Sequence, residues 1–142
     1  MKRLIAVLAI IALTAPAFAQ SGALWQQAAG ASHYFSAAST NSTLVQAGPR
    51  ILAGFVATNT TTTTYYLKFY DKATAPTCGT DVPVFTVAIP NQPAGTTVGQ
   101  INTWPYAGFA FLNGIVFCIT AAAADADTGV ADTGITLSLG VK

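Results

Sequence analysis

The stretch that decides the fold runs from Thr64 to Asp71 and reads TYYLKFYD. In an extended chain successive side chains point to opposite faces, so odd and even positions separate. The two resulting sets are Tyr65, Leu67 and Phe69 on one face, and Tyr66, Lys68 and Tyr70 on the other. This alternation, in a segment rich in aromatic residues, predicts a β-strand with one face on the core.

The preceding segment, Arg50 to Thr58 (RILAGFVAT), is apolar at both odd and even positions. That pattern is typical of a central strand covered on both faces. Asn59 and a run of threonines separate it from the alternating stretch. We therefore expect the two segments to form an antiparallel hairpin with its turn near residues 59–62.

Short segments of the same kind continue to the end of the chain. The last one, Ile135 to Val141, alternates between large aliphatic residues and small or polar ones. Turns rich in Gly, Pro and Asn separate these segments, and no long helical period is visible. About seven short strands predict one all-β domain over residues 44–142, an antiparallel β-sandwich or jelly-roll-like arrangement. Residues 20–43, rich in Ala, Ser and Gln, are expected to form a poorly ordered N-terminal segment.

The first nineteen residues have the pattern of a secretory signal peptide. A basic start at Lys2 and Arg3 precedes an apolar run from Leu4 to Leu13. Small residues then precede the predicted cleavage between Ala19 and Gln20. Ten apolar residues are about half of what a membrane-spanning helix needs, so no membrane span is expected after cleavage. The sequence thus predicts a secreted protein, periplasmic or extracellular.

Charge is scarce in the mature chain. Removing nineteen residues from 142 leaves 123, with four basic residues, five aspartates and no glutamate. Such a chain has no basic patch for nucleic acid or anionic lipid. A surface with so little charge is poorly protected against self-association, and this favours a homo-oligomer.

Two cysteines, Cys78 and Cys118, follow the predicted cleavage site. In an oxidising compartment such a pair is interpreted first as a disulfide. The alternative is two separately buried thiols, since free Cys packs like a small apolar residue.

The residues that catalysis would need are few. The sole imidazole is His33, and no Gly-x-Ser-x-Gly motif presents a nucleophile. Asp125, Asp127 and Asp132 lie in a small-residue segment that would offer oxygens to calcium, but no closing Glu completes a calcium loop. The alternative is that these carboxylates cap backbone N–H groups. We expect a protein that is not an enzyme and has no cofactor or metal.

Four aromatic residues are candidates for a ligand or interface face: Tyr66, Tyr70, Trp104 and Tyr106. A sugar ring stacks on an exposed aromatic ring, whereas buried aromatics serve the core or a subunit interface. Both interpretations stay open at this point.

A series of short motifs runs through nearly the whole predicted domain. In chain order they are His33-Tyr34, Ser36 to Asn41, Ala47-Gly48, Lys68 to Ala73, Ala75-Pro76, Gly79 to Asp81, Pro83, Gly108, Phe111, Asn113 to Ile115, and Ala124 to Thr128. In these motifs the chain resembles small, largely uncharacterised β-proteins encoded in tailed-phage and prophage genomes. The resemblance implies a virion-associated or decoration-type module and supplies no catalytic residues. This chain differs in its signal peptide and cysteine pair.

Two functions are therefore expected from the sequence. The first is a secreted, non-enzymatic structural or interaction module that self-assembles. The alternative is a module that binds a carbohydrate or a cell surface, with a surface glycan as partner, through its exposed aromatic residues.

Overall fold

The computed structural model describes residues 30–92, 98–103 and 108–142. The predicted signal peptide, its cleavage at Ala19 and Gln20, and the candidate residues Trp104 and Tyr106 all lie outside these ranges. Those predictions remain predictions.

The described chain is all-β, as the alternating segments predicted, and it contains two antiparallel sheets. Its nine strands are β1 (Gly30–Phe35), β2 (Thr43–Ala47), β3 (Arg50–Asn59), β4 (Tyr65–Asp71), β5 (Phe85–Ile89), β6 (Val98–Thr103), β7 (Phe109–Phe111), β8 (Gly114–Thr120) and β9 (Ile135–Val141). Sheet A has the order β1-β9-β3-β6, with β7 also paired to β3. Sheet B has the order β2-β8-β4-β5. The core lies between the two sheets, as in a β-sandwich.

The predicted hairpin between the third and fourth strands is wrong. β3 pairs with β9, β6 and β7 in sheet A, whereas β4 pairs with β5 and β8 in sheet B. The connection is held by the buried side chain of Asn59, which accepts from the Thr61 N–H at 2.9 Å and donates to the carbonyls of Thr63 and Ile89. These bonds satisfy the polar groups of a tight crossing from one sheet to the other.

The sandwich begins before the predicted boundary at residue 44. Residues 30–35 form β1, which pairs along its whole length with the last strand, β9. The inward residue Tyr34 packs edge-to-face on Phe117 of the opposite sheet, with ring centroids 5.1 Å apart. Residues 30–43 are thus part of the domain. A strand with small residues such as Gly30, Ala31 and Ser32 has little local signal, and its order comes from its partner.

β3 is central in its sheet, but only one of its faces is covered by the described chain. Leu52, Phe55 and Ala57 are buried in the core. Val56, on the other face, is 39% exposed. The prediction of a strand covered on both sides is therefore wrong for the described residues, and an apolar strand face is left open.

The core is organised around Phe69 in β4. Its ring lies 4.9 Å from that of Phe85 and 5.5 Å from that of Phe55, measured between centroids. Phe111 and Phe117 lie within 6.5 Å of it. Aromatic pairs at these separations add to the stabilisation that burial alone provides. The alternation of β4 and of β9 faces the core as predicted, with Ile135, Leu137, Leu139 and Val141 buried.

Asp71, at the end of β4, holds the turn by which the chain crosses from β7 to β8. Its carboxylate accepts from the backbone N–H groups of Leu112 (3.0 Å), Asn113 (2.6 Å) and Gly114 (3.1 Å). Desolvation raises the pKa of Asp71, but these bonds outweigh it, and the net pKa lies below its ordinary value.

We expect Asp71→Asn to lower the free energy of unfolding by about 1–2 kcal/mol at pH 7, because the ionised acceptor is lost. A depressed folded-state pKa stabilises the fold above the unfolded value, near 4, and that contribution disappears as pH falls through the folded value. The difference in free energy of unfolding between wild type and Asp71→Asn, measured in urea, should therefore be smaller at pH 3 than at pH 7. An equal difference at both pH values would contradict this role.

Candidate interaction surface

The outer face of sheet B, the face turned away from the core, is covered over its central strands by the protein's own loops, whereas Leu44 in the edge strand β2 is 40% exposed. Tyr70, Val116 and Cys118 form a small second core there, and Cys78 packs against them. Cys78 comes from the 72–84 loop, which crosses this face between β4 and β5. At Gly79 (φ +83°) this loop lies so close to the 121–134 loop that a Cβ would collide with Thr128. The two loops thus form one cover.

The predicted disulfide between Cys78 and Cys118 is present, with the two Cα atoms 6.1 Å apart. Cys118 lies in β8 on the side opposite the core residues Phe117 and Ile119, as the alternation indicated. The bond therefore ties the 72–84 loop to the middle of sheet B.

Lys68 is a buried cation under the same cover. Its side chain is 0% exposed, and its ammonium donates to the carbonyl of Ala124 in the 121–134 loop. Desolvation lowers the pKa of Lys68, opposed by the nearby charges of Asp127 and Asp125. The ammonium thus holds the 121–134 loop against sheet B, and the two aspartates balance the positive charge of the ammonium.

One aspartate of this loop, Asp127, caps the backbone. Asp127 accepts from the N–H groups of Ala122 (2.7 Å) and Gly129 (3.2 Å), the capping role proposed as the alternative to calcium. Asp132 lies near the hydroxyl of Tyr65, at 3.4 Å. No group of three or more His, Cys, Asp or Glu residues in the described ranges is arranged to hold a metal ion.

The structure separates the two described members of the predicted aromatic face. Tyr66 is half-buried, whereas Tyr70 is 1% exposed under the loops. Desolvation, with smaller effects from Asp81 and Asp125, raises the pKa of Tyr70 to about 12. The hydroxyl of Tyr70 has no hydrogen-bond partner in the described chain. Tyr70 is therefore no part of an exposed ligand-binding face, and its interpretation as one is wrong.

The outer face of sheet A, by contrast, is left open by the described chain. Strand register places its outward residues in three rows across β1, β9 and β3. We name them the glycine row (Ala31, Gly140, Gly54), the histidine row (His33, Ser138, Val56) and the phenylalanine row (Phe35, Thr136, Thr58). None of these nine residues is Asp, Glu, Lys or Arg. A charge first appears at the exposed Lys142, beyond the glycine row.

This face has relief as well as low polarity. The side chain of Phe35 is 74% exposed and stands beside His33, with ring centroids 4.7 Å apart and perpendicular. The glycine row lies further from Phe35 than the histidine row does, and it lines a shallow apolar depression that also reaches Val56 and Ser138 of the histidine row. Glycine within a strand often marks a place where another group approaches the backbone closely.

His33 and Ser138 form the one pair on this face with the elements of a nucleophile and its base. The distance from His33 Nδ1 to Ser138 Oγ is 2.7 Å. Ser138 lies in β9, which is paired on both sides, so the backbone N–H groups around it are used in the sheet ladders. An acyl-transfer site needs free donors for the oxyanion, and the backbone N–H groups beside Ser138 in the described sheet are not free for this role. The pair is a cross-strand hydrogen bond that fixes the histidine row.

The strands at the edges of both sheets are also without charge. Sheet A is bordered by β1 and β6, and sheet B by β2 and β5. The short strand β7 lies beside β6 at the same border, and none of these five strands contains Asp, Glu, Lys or Arg. Proteins that stay monomeric usually place charged residues on such strands to prevent pairing with another chain.

Sequence reasoning did not find the open face, because it placed the domain start at residue 44 and β3 between two covering layers. The alternation of Ala31, His33 and Phe35 with Ser32 and Tyr34 was the available signal. Comparison of the chain with protein-family models, with curated proteins and with solved structures finds no match. No helix of the described residues has the length and apolarity that a membrane crossing requires.

Proposed function

We propose that this chain is a secreted, non-enzymatic structural module that assembles with copies of itself. The observation that carries the proposal is the difference between the two outer faces. In the described chain, loops and a disulfide cover the central strands β8 and β4 of sheet B, whereas the three rows of sheet A are uncovered and contain no charged residue.

The physical argument is that an uncharged, partly apolar face gains free energy when it leaves water. Burying it desolvates no ionised side chain, the cost that usually opposes association. Monomeric proteins rarely leave large apolar patches exposed, and such patches mark interaction sites. The uncharged edge strands also favour association with another chain. The resemblance to virion-associated modules of phage genomes, which work in assemblies, adds support.

The non-enzymatic part of the proposal is supported by the chemistry of the described residues. The histidine on the open face is bonded to a serine, and the backbone N–H groups beside this serine in the described sheet are not free to act as oxyanion donors. Three of the five aspartates, in and beside the covering loops, are occupied as caps and charge partners: Asp71, Asp81 and Asp127.

Assembly is tested by size-exclusion chromatography with light scattering on the exported protein. We expect a mass of two or more chains that falls on dilution. A single-chain mass at the highest soluble concentration would overturn the proposal. The covalent mass of protein recovered from the periplasm or medium tests secretion, and it should correspond to a chain that begins at Gln20. A retained N-terminus at Met1 would refute export by this route.

A further inference from the structure

We infer that the occupant of the open face of sheet A is a second copy of the same face, related by a two-fold axis. This inference rests on the proposed self-assembly and specifies its contact. In it, the phenylalanine row of each copy lies on the glycine row of the other.

The choice of occupant follows from what the face lacks. A foreign partner chosen by charge would need complementary charges here, and the three rows have none. A second copy of the same face also has no charged residue in its three rows, so neither face leaves a charge unpaired when the two meet. Two-fold dimers are the commonest assemblies of soluble proteins, and they require a patch that complements itself.

The relief of the face satisfies that requirement. The phenylalanine row and the glycine row lie on opposite sides of the histidine row, each two residues away. Residues two apart are separated by about 6.6 Å along a strand, so the outer rows are about 13 Å apart. Two copies can face each other across a two-fold axis that runs perpendicular to the strands at the level of the histidine row. This axis places the phenylalanine row of each copy on the glycine row of the other. The protruding Phe35 of each copy then meets the partner's depression at Ala31 and Gly140.

The other face-to-face arrangement fits worse. An axis parallel to the strands would place each phenylalanine row on the other phenylalanine row and leave both depressions empty. An unfilled depression forfeits the dispersion contacts of its lining. Close packing thus selects the axis that crosses the strands.

A charge exchange tests this contact. Phe35→Lys alone and Ala31→Asp alone each place an unpaired charge in the interface, so each variant should be a monomer. The double variant should recover the dimer, because each new ammonium faces the new carboxylate of the partner. Within one chain these positions lie about 13 Å apart, too far for a direct ion pair. Val82→Asp is the matched control, since Val82 is 77% exposed on the loop that covers sheet B, and it should leave the mass unchanged.

The outcomes separate the two proposals. Single variants that remain dimeric would overturn this contact while leaving self-assembly in place. Single variants that dissociate, with a double variant that stays monomeric, would overturn the two-fold arrangement. A monomeric wild type would overturn both proposals. If the wild type is a monomer and Phe35→Lys melts at a lower temperature than wild type, a segment of the same chain occupies the face. Thermal melts of every variant establish that the fold persists.

Discussion

Phe69→Ala is expected to lower the free energy of unfolding by about 4 kcal/mol, the range measured for a large aromatic residue removed from a core. Phe69 is 0% exposed, and its ring contacts aromatic residues of both sheets. The loss combines transfer of the ring with the cavity left behind, since four neighbouring rings cannot all move into the space. A domain of this size is stable by only about 5–15 kcal/mol, so the variant should be close to unfolding at 37 °C.

The measurement is urea unfolding followed by circular dichroism, with Leu112→Ala as the matched control. Leu112 is also a large apolar residue, but it is 73% exposed at the turn between β7 and β8. We expect the control to lose no more than about 0.5 kcal/mol. Similar losses in the two variants would show that Phe69 is not the centre of the core.

Removal of the Cys78–Cys118 disulfide is expected to have an effect of similar size. The bond closes a separation of 40 residues, for which the chain-entropy model gives about 4 kcal/mol. Its loss also releases the 72–84 loop from sheet B, which exposes the second core at Tyr70 and Val116. The variant Cys78→Ala/Cys118→Ala should therefore unfold at lower urea and become susceptible to proteolysis within the covering loops.

A reductant supplies the control for this experiment. It should shift the unfolding midpoint of wild type toward that of the double variant and leave the double variant itself unchanged. Thiol titration of the native, exported protein should detect no free cysteine. An unchanged midpoint after complete reduction would show that the loops are held without the bond.

Several features of the fold were predictable because they depend on local patterns. The alternation in β4 and β9 assigns each side chain to a face, and both strands face the core as predicted. The disulfide followed from the number of cysteines and from the predicted export, and the loop does cross the strand to form it. Asp127 caps backbone groups, as short acidic side chains do in turns.

The errors share a different cause, which is that pairing and cover are decided by distant residues. The third and fourth strands are adjacent in sequence and well patterned, and yet each pairs with distant strands, β3 with β9 and β4 with β8. Tyr66 and Tyr70 share a face in the sequence pattern, but the covering loops bury Tyr70 and leave Tyr66 half-buried. The loop that buries Tyr70 follows it directly in the chain, but no local pattern shows that this loop folds back over the sheet.

The sequence by itself determined the all-β class, the inward faces of the strong strands and the low charge of the chain, because each depends on residue type and spacing alone. Only the tertiary structure decided which outer face is open. It pairs β1 with β9, 105 residues apart at His33 and Ser138, and so builds the three rows from strands that are distant in the chain. It folds both large loops over the central strands of sheet B, and no segment of the described ranges covers the three rows of sheet A. A side chain's surroundings are the sum of contacts from distant segments, and those contacts exist only once the chain has closed on itself.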